Sequence, residues 1–82
     1  SLLDSSDAVE LISELEHLLM SHKGTSIVTS SMDQILKISH QAPDTIRAKR
    51  SAYIKAINQR GVLRITRTRG EKDKRYFEYK IE

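Results

Sequence analysis

His17, His22 and His40 are the side chains best suited to bind a metal or to move a proton near neutral pH. Their spacing serves neither purpose. The five-residue gap between His17 and His22 puts them about 140° apart on a helix, and no H-E-x-x-H pattern accompanies them. The chain has no Cys, which removes thiolate nucleophiles and thiolate zinc sites. Gly24, Gly61 and Gly70 stand alone, so no glycine-rich loop is present to cradle a phosphate. The three histidines read as surface or cap residues. The expectation is a non-enzyme with no catalytic residue, no metal and no cofactor.

The chemistry that the sequence does favour is charge. Net charge over 82 residues is only +3, but residues 1–43 hold two basic residues against six acidic ones, while residues 44–82 hold twelve against five. A half-domain that basic creates a one-sided positive potential, the footprint of a surface for polyanions. The alternative for any such run is an ordinary solvated face.

The elements that must position these charges follow from periodicity. Asp7 and Glu10 have the spacing of a capping box, and Ala8, Leu11, Ile12, Leu15, Leu18 and Leu19 then recur on one side of a helix expected over 7–23, closed by Gly24. Residues 25–29, with Ile27 and Val28, read as a brief strand or extended link. Ser31 and Gln34 form a second capping box opening a helix over 31–40 that carries Met32, Ile35, Leu36 and Ile38; Pro43 keeps Ala42 out of the helical region. A third helix is expected over 44–60, ending at Gly61. It turns Ile46, Tyr53, Ile54 and Ile57 inward and Arg47, Ala48, Ser51, Lys55 and Asn58 outward, with no acid on that outer face. Arg50 falls within the apolar arc and is expected to snorkel outward along its aliphatic stem. Alternation then predicts strands over 62–69 and 75–81, joined by the charged loop Gly70–Lys74. Phe77, Tyr79 and Ile81 share the face turned to the first helix, so the aromatics serve core packing rather than stacking on single-stranded bases.

The expected fold is a single α+β domain spanning 1–82, a three-helix bundle with a short strand and a C-terminal β-hairpin, in the order α-β-α-α-β-β. Residues 1–6 read as a tag or flexible lead-in, and the domain as part of a larger parent protein. No apolar run approaches the roughly 18–20 residues needed to cross a bilayer, and the expected setting is intracellular, either nucleoid or nuclear.

That order resembles the winged-helix family of DNA-binding domains over residues 7–81. In the family the last helix carries apolar residues seven and four positions before a terminal Gly, and apolar residues open the wing; Ile54, Ile57, Gly61, Val62 and Leu63 stand at those places. Arg50 stands where a further apolar residue is usual, and the third helix is about one turn longer than typical. The resemblance implies that the third helix enters the major groove of duplex DNA. Arg47, Ser51, Lys55 and Asn58 would then reach bases or flanking phosphates, with Lys49 placed for a phosphate at one side. It also implies a basic wing, Arg64, Arg67, Arg69, Lys72, Lys74 and Arg75, lying on the backbone or in the minor groove, led by Arg69 and Lys72. Charged edge strands also protect against aggregation, and the two roles are compatible. The rival expectation is a winged-helix module that docks a protein partner and binds little or no DNA. The broad apolar stripe of the first helix also leaves room for a homodimer through that helix.

Overall fold

Ala8, Ile12, Leu15 and Leu19 are spaced by four, three and four residues, which stacks them on one stripe of helix α1, Ser6–Met20. In the computed structural model, which describes residues 6–82, this stripe is buried and supplies one wall of the core. The helix stops three residues earlier than the periodicity predicts. The backbone N–H groups of His22 and Lys23 turn back to the carbonyls of Leu19 and Met20, and Gly24 then takes a positive φ of 89°, a conformation that favours glycine.

Strand β1, Ser26–Val28, leads directly into helix α2, Thr29–Ile35. The capping box read at Ser31 and Gln34 is not used. The helix starts two residues sooner, with Val28 at the N-cap and no side-chain cap, so Ser31 lies inside it. Its end also differs from the predicted His40. Lys37 adopts φ 62°, the N–H of Lys37 donates to the carbonyl of Gln34, and the N–H of Ile38 donates to that of Asp33. This is a Schellman closure with Lys in the position usually held by Gly. It turns Ile38 inward, where the side chain is 1% exposed. The burial of Ile38 compensates for the strained residue before it.

Helix α3, Pro43–Arg60, begins one residue ahead of the expected start because Pro43 occupies the first helical position, where its missing N–H costs nothing. Ala42 is extended, as a residue before proline prefers. Gly61 ends the helix at φ 75°. Ile57 is fully buried, and Ile46, Tyr53, Ile54 and Ala56 are partly buried against the same core.

The predicted two-stranded hairpin is a three-stranded antiparallel sheet. Strands β2, Ile65–Arg69, and β3, Phe77–Ile81, form the hairpin, but β1 pairs with the other edge of β3, giving the order β1-β3-β2. Ile27 lies opposite Tyr79 on one side, and Arg67 lies opposite the same Tyr79 on the other. The strands are shorter than 62–69 and 75–81, although Arg64 and Glu82 exchange two backbone hydrogen bonds just beyond the ladder. With β3 in the centre, its backbone groups are satisfied from both sides. Tyr79 and Ile81 pack with Leu63 and Ile65 against α1, α2 and α3. Among the described residues no helix is long and apolar enough to cross a membrane.

Candidate nucleic-acid interface

Helical spacing places Arg47, Ser51 and Lys55 one above another on α3, and all three are exposed. Beside them a groove opens between α3 and the sheet. Its lining combines Arg47, Arg50, Ser51, Lys55 and Asn58 from the helix with Arg67 from β2 and Tyr79 from β3, together with Ile54 and Gln59. Arginine and lysine supply four of these residues, and none carries a carboxylate.

Two acids near α3 are spent behind it, while a third, Asp44 in its own first turn, stands exposed on the Arg47 face, 4.0 Å from that guanidinium. Arg50 is clamped by Asp33 of α2, with Nε and Nη2 donating to the two carboxylate oxygens at 2.6 and 2.8 Å. The expected outward snorkelling of Arg50 does not occur, because a buried carboxylate on the facing helix offers a bidentate partner. The hydrogen bond to Asp33 is the largest influence raising the Arg50 pKa, opposed by burial and helped by the Tyr79 phenol. At the other end of α3, Arg60 Nε donates to both oxygens of Glu16 at 3.0 Å. Both pairs join the acidic half of the sequence to the basic half, and neither was read from the sequence. The available signal was Arg50 itself: a cation on an apolar arc requires a partner.

Asn58, expected as a base reader, is a joint between α3 and β2. Its Nδ2 donates to the Ile65 carbonyl at 3.0 Å, and its Oδ1 accepts from the Ile65 N–H at 2.7 Å. The amide thereby copies a strand's hydrogen-bonding pair and holds the hairpin against the helix. Lys49 is half-buried and lies outside the groove lining.

The hairpin cations fall into separate places. Arg67 faces the groove, with its guanidinium over the Phe77 ring at 4.5 Å; Arg69 stacks on the same ring at 4.7 Å and donates to the Lys74 carbonyl. Arg64 lines a neighbouring depression with Arg67 and Asn58. Lys72 sits across the hairpin, in a second groove beside α2 that also contains Asp33, Glu71, Asp73 and Glu78. Arg75 grips Asp73 with a shortest contact of 2.7 Å, and that hydrogen bond holds the Asp73 carboxyl below its usual range. Lys74 is exposed at the tip. The structure therefore brings Arg67 together with the α3 face but leaves Lys72, Lys74 and Arg75 apart from it.

No family model, curated protein or solved structure matches this chain.

The hairpin tip is a built feature. Gly70 N–H donates to the Tyr76 carbonyl, and Tyr76 N–H to that of Asp73. A Cβ at Gly70 would lie 2.7 Å from the Asp73 carbonyl oxygen, closer than such atoms can approach, and the opposing atom is backbone. Gly70→Ala is expected to displace the 70–76 turn and to destabilise the domain by about 1–2 kcal/mol. Urea unfolding measures the loss, and a variant as stable as the parent would show that the turn yields freely.

Proposed function

We propose that this domain binds double-stranded DNA as a winged helix, with the exposed face of α3 in the major groove and the β2–β3 hairpin on the flanking backbone. The observation that carries the reading is a groove lined without a carboxylate, where the uncompensated Lys55 and the exposed Arg47 from α3 meet Arg67 from β2, with Arg50, paired to Asp33 behind it, between them. Concentrating one sign of charge between low-dielectric walls attracts a polyanion more strongly than the same charges spread over a surface. A duplex major groove admits a helix, and a hairpin beside that helix can reach the adjoining backbone. The element order α-β-α-α-β-β agrees with this reading. Arg47 and Lys55 are placed for bases or phosphates, Ser51 for either, and Arg67 and Arg69 for the backbone.

A labelled mixed-sequence duplex titrated across a salt series tests the proposal. About four to six neutralised phosphates correspond to a log–log slope of roughly −4 to −5, at −0.9 per phosphate. Lys55→Glu and Arg47→Glu are each expected to weaken binding about 10- to 100-fold, since each converts an attraction into a repulsion beside the phosphates. Absence of binding by the parent domain at about 50 mM salt, where electrostatic attraction is strong, would overturn it.

The second reading is a protein-docking module. Leu11 and Leu18 favour it: two turns apart on α1, they are 38% and 40% exposed. They are also where a homodimer through α1 would form. A docking module of this kind tolerates both charge reversals in partner binding.

A further inference from the structure

Two of the groove cations differ from the others in being held from behind. Arg47 is an open surface side chain, 78% exposed, with only a 4.0 Å contact to an equally open Asp44. Arg50 is 20% exposed and fixed by its fork on Asp33. Two of the five N–H donors of a guanidinium are used there, the Tyr79 phenol also lies against this guanidinium, and Arg50 lines the groove. Arg67 is held by stacking on Phe77 and lies in register opposite Tyr79. Tyr79 is 4% exposed, yet it lines the groove. The Tyr79 phenol, lying beside Arg50, has one O–H donor to add to the two guanidinium groups.

We propose that Arg50, Arg67 and the Tyr79 hydroxyl form a seat for one backbone phosphodiester at the floor of the α3–sheet groove, with Asp33 as the positioning residue behind Arg50. The inference rests on the DNA-binding reading and specifies where one phosphate of the duplex is fixed. A planar guanidinium with donors beyond the two held by Asp33 matches phosphate oxygens. Because Arg50 is already held by Asp33 and Arg67 by the Phe77 ring, binding loses less side-chain entropy here than at unpartnered cations. The exposed Arg47 and Lys55 add attraction without the same geometric definition.

The role given to Asp33 leads to an expectation opposite in sign to simple charge counting. Asp33→Asn removes a negative charge beside the groove, and a charge-only account has it bind DNA more tightly. A positioning role has it bind about 5-fold more weakly, because Asn cannot accept the fork and Arg50 loses its orientation. Tyr79→Phe keeps the ring and its packing, removes only the hydroxyl, and is expected to bind about 3- to 10-fold more weakly with a melting temperature within about 2 °C of the parent. It also serves where Asp33→Asn does not fold. The assay is anisotropy with a labelled mixed-sequence 20-base-pair duplex over a salt series, with Lys55→Glu in parallel and circular dichroism melts of every variant. Weaker binding by folded Asp33→Asn and by Tyr79→Phe supports the seat. Parental or tighter binding by folded Asp33→Asn, or unchanged binding by Tyr79→Phe, overturns it, and if Lys55→Glu is weakened in the same experiment the DNA reading stands without it. A parent domain that does not bind the duplex at all overturns both.

Discussion

Ile57→Ala is expected to lower the unfolding free energy by about 3–4 kcal/mol. Ile57 is 0% exposed and is the one buried residue among those described in α3. The other apolar residues of that helix are only partly covered, so the helix that carries the proposed DNA-binding face depends on a single deep anchor. Truncation removes three carbons from a close-packed site and leaves a cavity whose walls come from several elements, which limits relaxation; buried Ile→Ala changes cost about 2–5 kcal/mol for this reason. A domain of this size is stable by roughly 4–12 kcal/mol, and each kilocalorie lost lowers its melting temperature by about 4–8 °C. A fall of at least about 12 °C is the expected result. Ile57→Val, which removes one methyl group, is expected to cost only about 1 kcal/mol. A loss below about 1 kcal/mol for the alanine variant would mean that α3 is held mainly by its polar joints.

Those joints mark the boundary of what was legible in the sequence. The long elements were readable because their burial is periodic: Ile12, Leu15 and Leu19 on α1, Ile57 on α3 and Tyr79 and Ile81 on β3 all face the core as their spacing requires. The second helix departs from its sequence signals at both ends. Its Ser–Gln signal competes with a start dictated by β1, and its termination depends on Lys37 accepting a left-handed conformation so that Ile38 can enter the core. Nothing in the local sequence announces that trade. The position of β1 was equally hidden, since strand pairing is a relation between distant segments and three residues carry too little alternation to reveal it.

The same limit applies to the candidate site. Helical spacing grouped Arg47, Ser51 and Lys55 correctly on one face, while the hairpin cations looked like one cluster because they are near in sequence. In three dimensions the turn at Gly70 separates them: Arg67 faces the groove, and Lys72 lies on the other side of the hairpin. Asn58 looked available for bases because its use by Ile65 is a contact across the helix–strand junction. Charge counting by halves was informative but incomplete, because Asp33 and Glu16 cross the divide and pair with Arg50 and Arg60.

Arg60→Ala is expected to be the other strongly destabilising change, at about 2–4 kcal/mol, although Arg60 lies at the surface end of α3. The cause is its partner. The Glu16 side chain is 7% exposed, whereas that of Arg60 is 38% exposed, so deleting the arginine leaves a carboxylate in a place that water barely reaches. Removing one member of a buried pair costs about 3–5 kcal/mol, reduced here because solvent can partly enter where the guanidinium stood. The pair need not stabilise the fold relative to apolar residues of similar size. A Glu16→Met, Arg60→Met double variant is therefore expected within about 1 kcal/mol of the parent, or above it. Urea midpoints at unchanged slope provide the measurement. Arg60 does not line the groove, so at temperatures where it is folded the double variant should retain the parental salt dependence of DNA binding. A reduced slope in that variant would place Arg60 among the phosphate contacts, and with it a wider interface than the groove between α3 and the sheet.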